Sequence, residues 1–155
     1  MISGATRVAA VIGSPVRHSL SPALHNAAFE QLGVDWVYAA FEVAPGRAQA
    51  AVDAMRALGL GGLSVTMPHK EAIAQAVDSL DPAAAALRSV NTVVPQADGT
   101  LKGYSTDGAG FIASLAAAGV DVVGKAVCML GAGGAARSLA DALARAGASR
   151  VAVVN

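Results

Sequence analysis

Apolar residues fall into short continuous runs and into stripes at helical spacing, and the two kinds of segment take turns along the chain. The run Val8 to Gly13 predicts a buried strand. Pro22 to Leu32 predicts a helix with Ser21 as its N-cap and Pro22 at its first position. Trp36 to Val43, rich in β-branched and aromatic residues, predicts the next strand, and Arg47 to Leu58 a second helix closed by Gly59. A third strand over Gly61 to Thr66 leads through Met67-Pro68 into a helix from Lys70 to Ala76, and Asp81-Pro82 opens another short helix. Two strands, Val90 to Pro95 and Thr100 to Ser105, flank Ala97-Asp98-Gly99, whose Asp-Gly is a hairpin signal. Alternation of this kind, closed by a hairpin, predicts a small α/β domain with a mixed, largely parallel sheet.

A helix from Asp107 to Ala118 carries Phe111, Leu115 and Ala118 on one stripe and ends at Gly119. From Lys125 the pattern restarts: a strand from Ala126 to Leu130, a glycine turn, a helix from Ala135 to Ala146 and a strand from Val151 to Val154. Cys128 lies inside the first of these strands and is expected in the core rather than as a reactive thiol. The chain thus divides into an α/β domain over 1–106, a linking helix and connection over 107–123, and over 124–155 the first βαβ unit of a Rossmann-type domain, which by itself is incomplete.

Composition narrows the partners. The 155 residues are 54% hydrophobic and 14% charged, which excludes a disordered chain. Eleven basic and 11 acidic side chains cancel, leaving no field to draw in nucleic acid or an anionic membrane. Continuous apolar runs such as Ala126 to Leu130 are far short of the roughly 20 residues that cross a bilayer. Neither nucleic acid nor membrane is therefore expected as a partner. A single cysteine and the absence of a basic, apolar leader point to the cytoplasm. His18, His25 and His69 have no Cys or carboxylate partners at ligand spacing, so no metal is expected, and no G-x-S-x-G nucleophile elbow occurs.

Gly131-Ala132-Gly133-Gly134-Ala135-Ala136 fits the G-x-G-x-x-G/A fingerprint between a strand and an Ala-rich helix, where backbone N–H groups attract a pyrophosphate. Asn155 ends the following strand where a site for NAD usually carries an acidic residue, and a neutral amide favours NADP. Lys70 stands at a strand-to-helix junction in a chain with only three lysines. Lys70 and Asp107 could pass a hydroxyl proton during hydride transfer; equally, Lys70 could be a solvated lysine and Asp107 a helix cap. Ser19 and Ser21 could donate to a carboxylate, although Ser21 is explained as well by capping.

Four segments and the glycine turn together carry a resemblance. Ile12-Gly13-Ser14-Pro15-Val16-Arg17-His18-Ser19-Leu20-Ser21-Pro22 with His25-Asn26, then Ser64 to Lys70, then Val90-Asn91-Thr92, then Gly103 to Gly108, and finally Gly131 to Ala136 resemble in order the motifs of the shikimate dehydrogenase family. The resemblance implies that Ser19 and Ser21 hold the substrate carboxylate, that Thr66, Asn91 and Asp107 bind ring hydroxyls, and that Lys70 and Asp107 form the catalytic pair at the substrate. It implies NADP as cofactor, held by Gly131, Ala132, Gly133, Gly134, Ala135 and Asn155. The implied reaction is reduction of 3-dehydroshikimate to shikimate on the route to aromatic compounds. Ser64 departs from the family in replacing an Asn common before Val-Thr, and family members are longer, so the chain is expected to be an N-terminal piece with little or no activity alone. Two alternatives stay open: a quinate or shikimate dehydrogenase using NAD, and a non-catalytic shikimate-binding module. A homodimer is also admitted.

Overall fold

A computed structural model describes residues 2–133 and 135–155. The first compact unit, up to Tyr104, contains β1 (Arg7–Gly13), α1 (Ser21–Leu32), β2 (Trp36–Glu42), α2 (Ala48–Ala57), β3 (Gly62–Val65), α3 (Lys70–Ala76), β4 (Ser79–Leu80), α4 (Pro82–Leu87), β5 (Thr92–Pro95) and β6 (Leu101–Tyr104). Its strands form one sheet in the order β2-β1-β3-β5-β6-β4. The β1–β2, β1–β3 and β4–β6 pairs are parallel, whereas β3–β5 and β5–β6 are antiparallel. The sheet is therefore mixed and largely parallel, as the sequence pattern predicts, and β5 and β6 form the hairpin expected around Asp98-Gly99.

Helices cover both faces of the central strand, which explains why β1 reads as an unbroken apolar run. Ala10 and Ile12 join Val52 and Met55 of α2, Ile73 of α3 and Ala84 of α4 in one buried cluster. Ala9 and Val11, on the opposite face, pack with Val16, Tyr38 and Phe29 of α1 in another. Beyond β1 lies β2, whose outer edge is partly sealed by a side chain. The Asn26 amide nitrogen donates to the Tyr38 carbonyl at 2.9 Å, and its oxygen accepts from the Tyr38 N–H at 2.8 Å, as a further strand would.

Several expectations need correction. Ser21 is the first residue of α1, not its cap: Leu20 occupies that position with no side-chain cap bond, and the Ser21 N–H is taken by the Ser19 hydroxyl. Asp81 does cap α4, accepting from the Ala84 N–H. The two-residue strand β4 has no apolar run to announce it. Its pairing follows from Asp78, whose carboxylate accepts from the Leu101 N–H at 2.6 Å and from Arg56 at 2.7 Å.

The second compact unit, from Ser105 onward, contains α5 (Asp107–Ala117), β7 (Ala126–Leu130), α6 (Ala136–Arg145) and β8 (Arg150–Val154). Thr106 holds the cap position of α5 and makes no side-chain cap bond, so Asp107 is not the helix cap. β7 and β8 form a two-stranded parallel sheet. Cys128 is exposed, contrary to the expectation of a core position. The cause is geometric: along β7, Ala126, Cys128 and Leu130 alternate with the half-buried Val127 and Met129 and are exposed. An apolar run is a core strand only where helices cover both faces.

Gly108 sets the approach of α5 to α6. A Cβ there would lie 2.5 Å from the Ser138 carbonyl oxygen and 2.8 Å from the Ala142 Cβ. Gly108 is the second residue of α5, so alanine there gains at most about 1 kcal/mol of helix propensity, whereas overpacking costs about 1–3 kcal/mol. Backbone at 2.5 Å cannot yield cheaply, so Gly108→Ala is expected to lower thermal stability; a raised melting temperature would refute the tight packing.

A second expectation concerns acid. The Leu101 N–H, and then Arg56, hold the Asp78 carboxyl below its ordinary value. A depressed native pKa contributes stability above the unfolded value, about 4, which is lost as pH falls through the native one. Asp78→Asn should therefore be less stable than wild type at pH 7, with the difference shrinking below about pH 4. Thermal melts across that range test it.

Candidate active site

The site begins where β1 and β3 end side by side. Ile12 pairs with Val65, and the ladder continues past both strands: the Thr66 N–H donates to the Ile12 carbonyl at 2.9 Å, and the Ser14 N–H to the Met67 carbonyl at 2.9 Å. Gly13 lies in this crossing. A Cβ there would fall 2.4 Å from Thr66 Cγ2 and 3.2 Å from the Met67 carbonyl oxygen, so the approach requires a residue without a side chain.

Downstream of Thr66 the chain is clamped twice before Lys70. The His69 N–H donates to the Thr66 carbonyl, and the His69 ring, 1% exposed, donates from Nε2 to the Val43 carbonyl at 2.7 Å. That carbonyl acceptor fixes the proton on Nε2. Lys70 then opens α3, and its own carbonyl accepts from the Val90 N–H at 2.9 Å. The Asn91 carbonyl accepts from the Val65 N–H at 2.7 Å, and the Asn91 N–H donates to the Tyr104 carbonyl. Main-chain bonds thus gather Thr66, Lys70 and Asn91, all half-buried, at the C-terminal end of β3. Ligands of open α/β sheets bind at strand ends of this kind.

The segment before α1 supplies the next group. Val16 is buried, its carbonyl accepts from the Ser19 N–H, and the Ser19 hydroxyl accepts from the Ser21 N–H at 3.2 Å. The Ser21 carbonyl accepts from His25 Nδ1 at 2.9 Å, and the His25 ring stacks on Tyr38 with centroids 4.1 Å apart. The Tyr38 hydroxyl donates to Ser64 Oγ at 2.6 Å. Burial pushes the Tyr38 phenol above its ordinary value, and the Ser64 hydrogen bond opposes this in part.

The second unit holds Asp107 at the start of α5 and the glycine turn after β7. Gly131, at φ +94°, donates its N–H to the Val154 carbonyl, the Ala132 N–H donates to the Asn155 side-chain oxygen at 3.2 Å, and the Ala136 N–H donates to the Gly133 carbonyl. Gly131, Ala132, Gly133 and Ala135 are exposed; Gly134 lies outside the described residues. No side chain caps α6, so its first N–H groups lack a side-chain acceptor. An exposed turn opening an uncapped helix fits the pyrophosphate of a dinucleotide. The described residues contain no group of His, Cys, Asp or Glu arranged to hold a metal ion. They also contain no helix long and apolar enough to cross a membrane.

Comparison with known proteins decides the kinship. The family model described as shikimate dehydrogenase substrate binding domain matches residues 11–93, just over half of the chain. The chain belongs to the shikimate dehydrogenase family. A shikimate dehydrogenase (NADP(+)) of Moorella thermoacetica is 51% identical over 154 residues, covering 99% of this chain and 52% of its own length. The crystal structure of shikimate 5-dehydrogenase from Listeria monocytogenes in complex with shikimate and NAD superposes with a TM-score of 0.92 at 43% identity, covering 98% of this chain and 52% of that one. A shikimate dehydrogenase in complex with NADP+ gives a TM-score of 0.91 at 41% identity, with 99% and 53% covered. The chain spans about half the length of the curated shikimate dehydrogenases it matches.

Three residues of the first unit escaped notice as positioning groups. His69 reads in sequence only as a histidine without metal partners. Tyr38 reads as one aromatic residue of a predicted strand, and Gly13 as the end of an apolar run. Contact across the sheet gives each its role. For Gly13 the crowding can be tested by compensation. Gly13→Ala is expected to cost about 1–3 kcal/mol. Thr66→Ser, which deletes the methyl at 2.4 Å but not the Met67 carbonyl at 3.2 Å, should recover part of that loss in the double variant. Urea midpoints measure the coupling, and strict additivity would remove the Gly13–Thr66 contact as its cause.

Proposed function

We propose that the protein of which this chain is the whole or a part is an NADP-dependent shikimate dehydrogenase, reducing 3-dehydroshikimate to shikimate. The observation that carries this reading is the main-chain clamp that collects Thr66, Lys70 and Asn91 at the end of β3, inside the segment matched by the substrate-binding family model. The cofactor assignment is supported by the relatives named for NADP(+) and by the exposed glycine turn before the uncapped α6.

In this reading Ser19 and Ser21 donate hydroxyl hydrogen bonds to the substrate carboxylate, and Thr66 and Asn91 engage ring hydroxyls. NADPH, when bound, supplies the hydride. Lys70 as an ammonium donates a hydrogen bond to the carbonyl oxygen of the substrate and gives it a proton as that oxygen becomes a hydroxyl. The Asp107 carboxylate accepts from a ring hydroxyl in the same proposal. Gly131, Ala132, Gly133, Gly134, Ala135 and Asn155 are the cofactor-binding residues of the same proposal.

The test is NADPH oxidation with 3-dehydroshikimate, followed optically on the protein in its full encoded length. Lys70→Ala should lower kcat by about 10²–10⁴-fold with a much smaller change in KM. An unchanged kcat would remove Lys70 from the proton transfer, and absence of turnover by the wild type would end the reading.

A further inference from the structure

The free edge of the first sheet at β2 lies outside the machinery above, and a single side chain covers its centre. Main-chain groups of a strand face its neighbour and its free side alternately. Tyr38, whose N–H and carbonyl bond the Asn26 carboxamide at 2.8 and 2.9 Å, therefore shares the free side of β2 with Trp36, Ala40 and Glu42. The Trp36 N–H is turned back to the Val34 carbonyl at 2.9 Å. Beyond Tyr38, Ala40, Phe41 and Glu42 are exposed. Beside the start of the strand an open groove of about 670 Å³ borders the edge, lined in part by Asn26, Phe29, Val34, Trp36 and Val37. A strand edge with room beside it is a template for pairing with another chain.

We infer that the Asn26 carboxamide is an edge guard: it occupies the stretch of β2 that would otherwise pair, antiparallel, with the β2 of a second copy of this chain, and so keeps this surface from associating. The second copy is the fitting partner because the edge complements itself. Pairing about a two-fold axis at Tyr38 sets Trp36 opposite Ala40 and Val37 opposite Ala39. Glu42, the one charged residue of β2, then lies opposite Val34, so no like charges stand directly across from each other. The opposite edge of the sheet is β4, only two residues long, so joining two β2 edges gives a closed dimer rather than a fibre. The inference is independent of the proposed reaction.

Sedimentation velocity over a concentration series, with amide hydrogen exchange at Tyr38, tests this in the full-length protein. Asn26→Leu keeps the shape of the side chain and gives up both bonds. Wild type must break those two bonds before its edge can pair, so the variant is expected to dimerise at least about tenfold more tightly than wild type. Its Tyr38 amide should exchange faster than the wild type's when dilute and regain protection as the dimer fills. Adding Ala40→Pro, which removes a main-chain donor on the free side and leaves the bonds to β1, should return association to the wild-type level. Unchanged association in Asn26→Leu, association that survives Ala40→Pro, growth into species larger than dimers, or a Tyr38 amide indifferent to concentration would overturn the guard. Should Asn26→Leu not fold, Asn26→Ala is judged by the same two measurements.

Discussion

Close approach of two backbones at Gly13 governs the end of the first sheet where the candidate side chains gather. Parallel strands run out of partners at their ends, yet here the ladder continues through Thr66 to Ile12 and Ser14 to Met67. Those bonds close only because no Cβ stands between them. The consequence travels in both directions along the chain. Backward, the serine segment leaves β1 held against the turn that follows β3. Forward, Thr66 receives the His69 N–H, the His69 ring reaches the loop after β2, and Lys70 emerges from a turn fixed on two sides. Those bonds fix the point at which the Lys70 side chain leaves the backbone.

The sequence announced what depends on burial from both faces. β1 is packed on both faces, so its apolar run was readable, and the Asp98-Gly99 turn marked the hairpin. It did not announce what depends on a distant partner. β4 exists because Asp78 reaches Leu101, a link invisible in two residues of Ser-Leu. Ser21 carries every local sign of a cap, but the hydroxyl of Ser19 satisfies its N–H and the helix begins a residue early. Cys128 was misjudged because an apolar run does not state how many of its faces are covered. In the site, the lysine, serine and glycine motifs were legible as motifs, while Tyr38 and His69, which tie the serine and lysine segments into the first sheet, were not, since their partners lie 26 residues away in sequence.

The two compact units differ in how they hold together. The first is built around branched aliphatic side chains and a central strand buried on both sides. In the second, α5 and α6 meet through Gly108, Ser138 and Ala142, and the short sheet leaves Leu130 and Val154 largely in solvent. Small-residue packing sets the distance between those two helices sharply.

The amide of Asn26 carries a further lesson for comparing sequences. It lies within the segment that also holds Ser19 and Ser21, yet both of its hydrogen bonds go to the main chain of residue 38. An aspartate of the same shape would set an oxygen against an oxygen, and a leucine would leave both peptide groups bare. Strand geometry alone thus accounts for an asparagine at this position, whatever ligand the neighbouring serines meet.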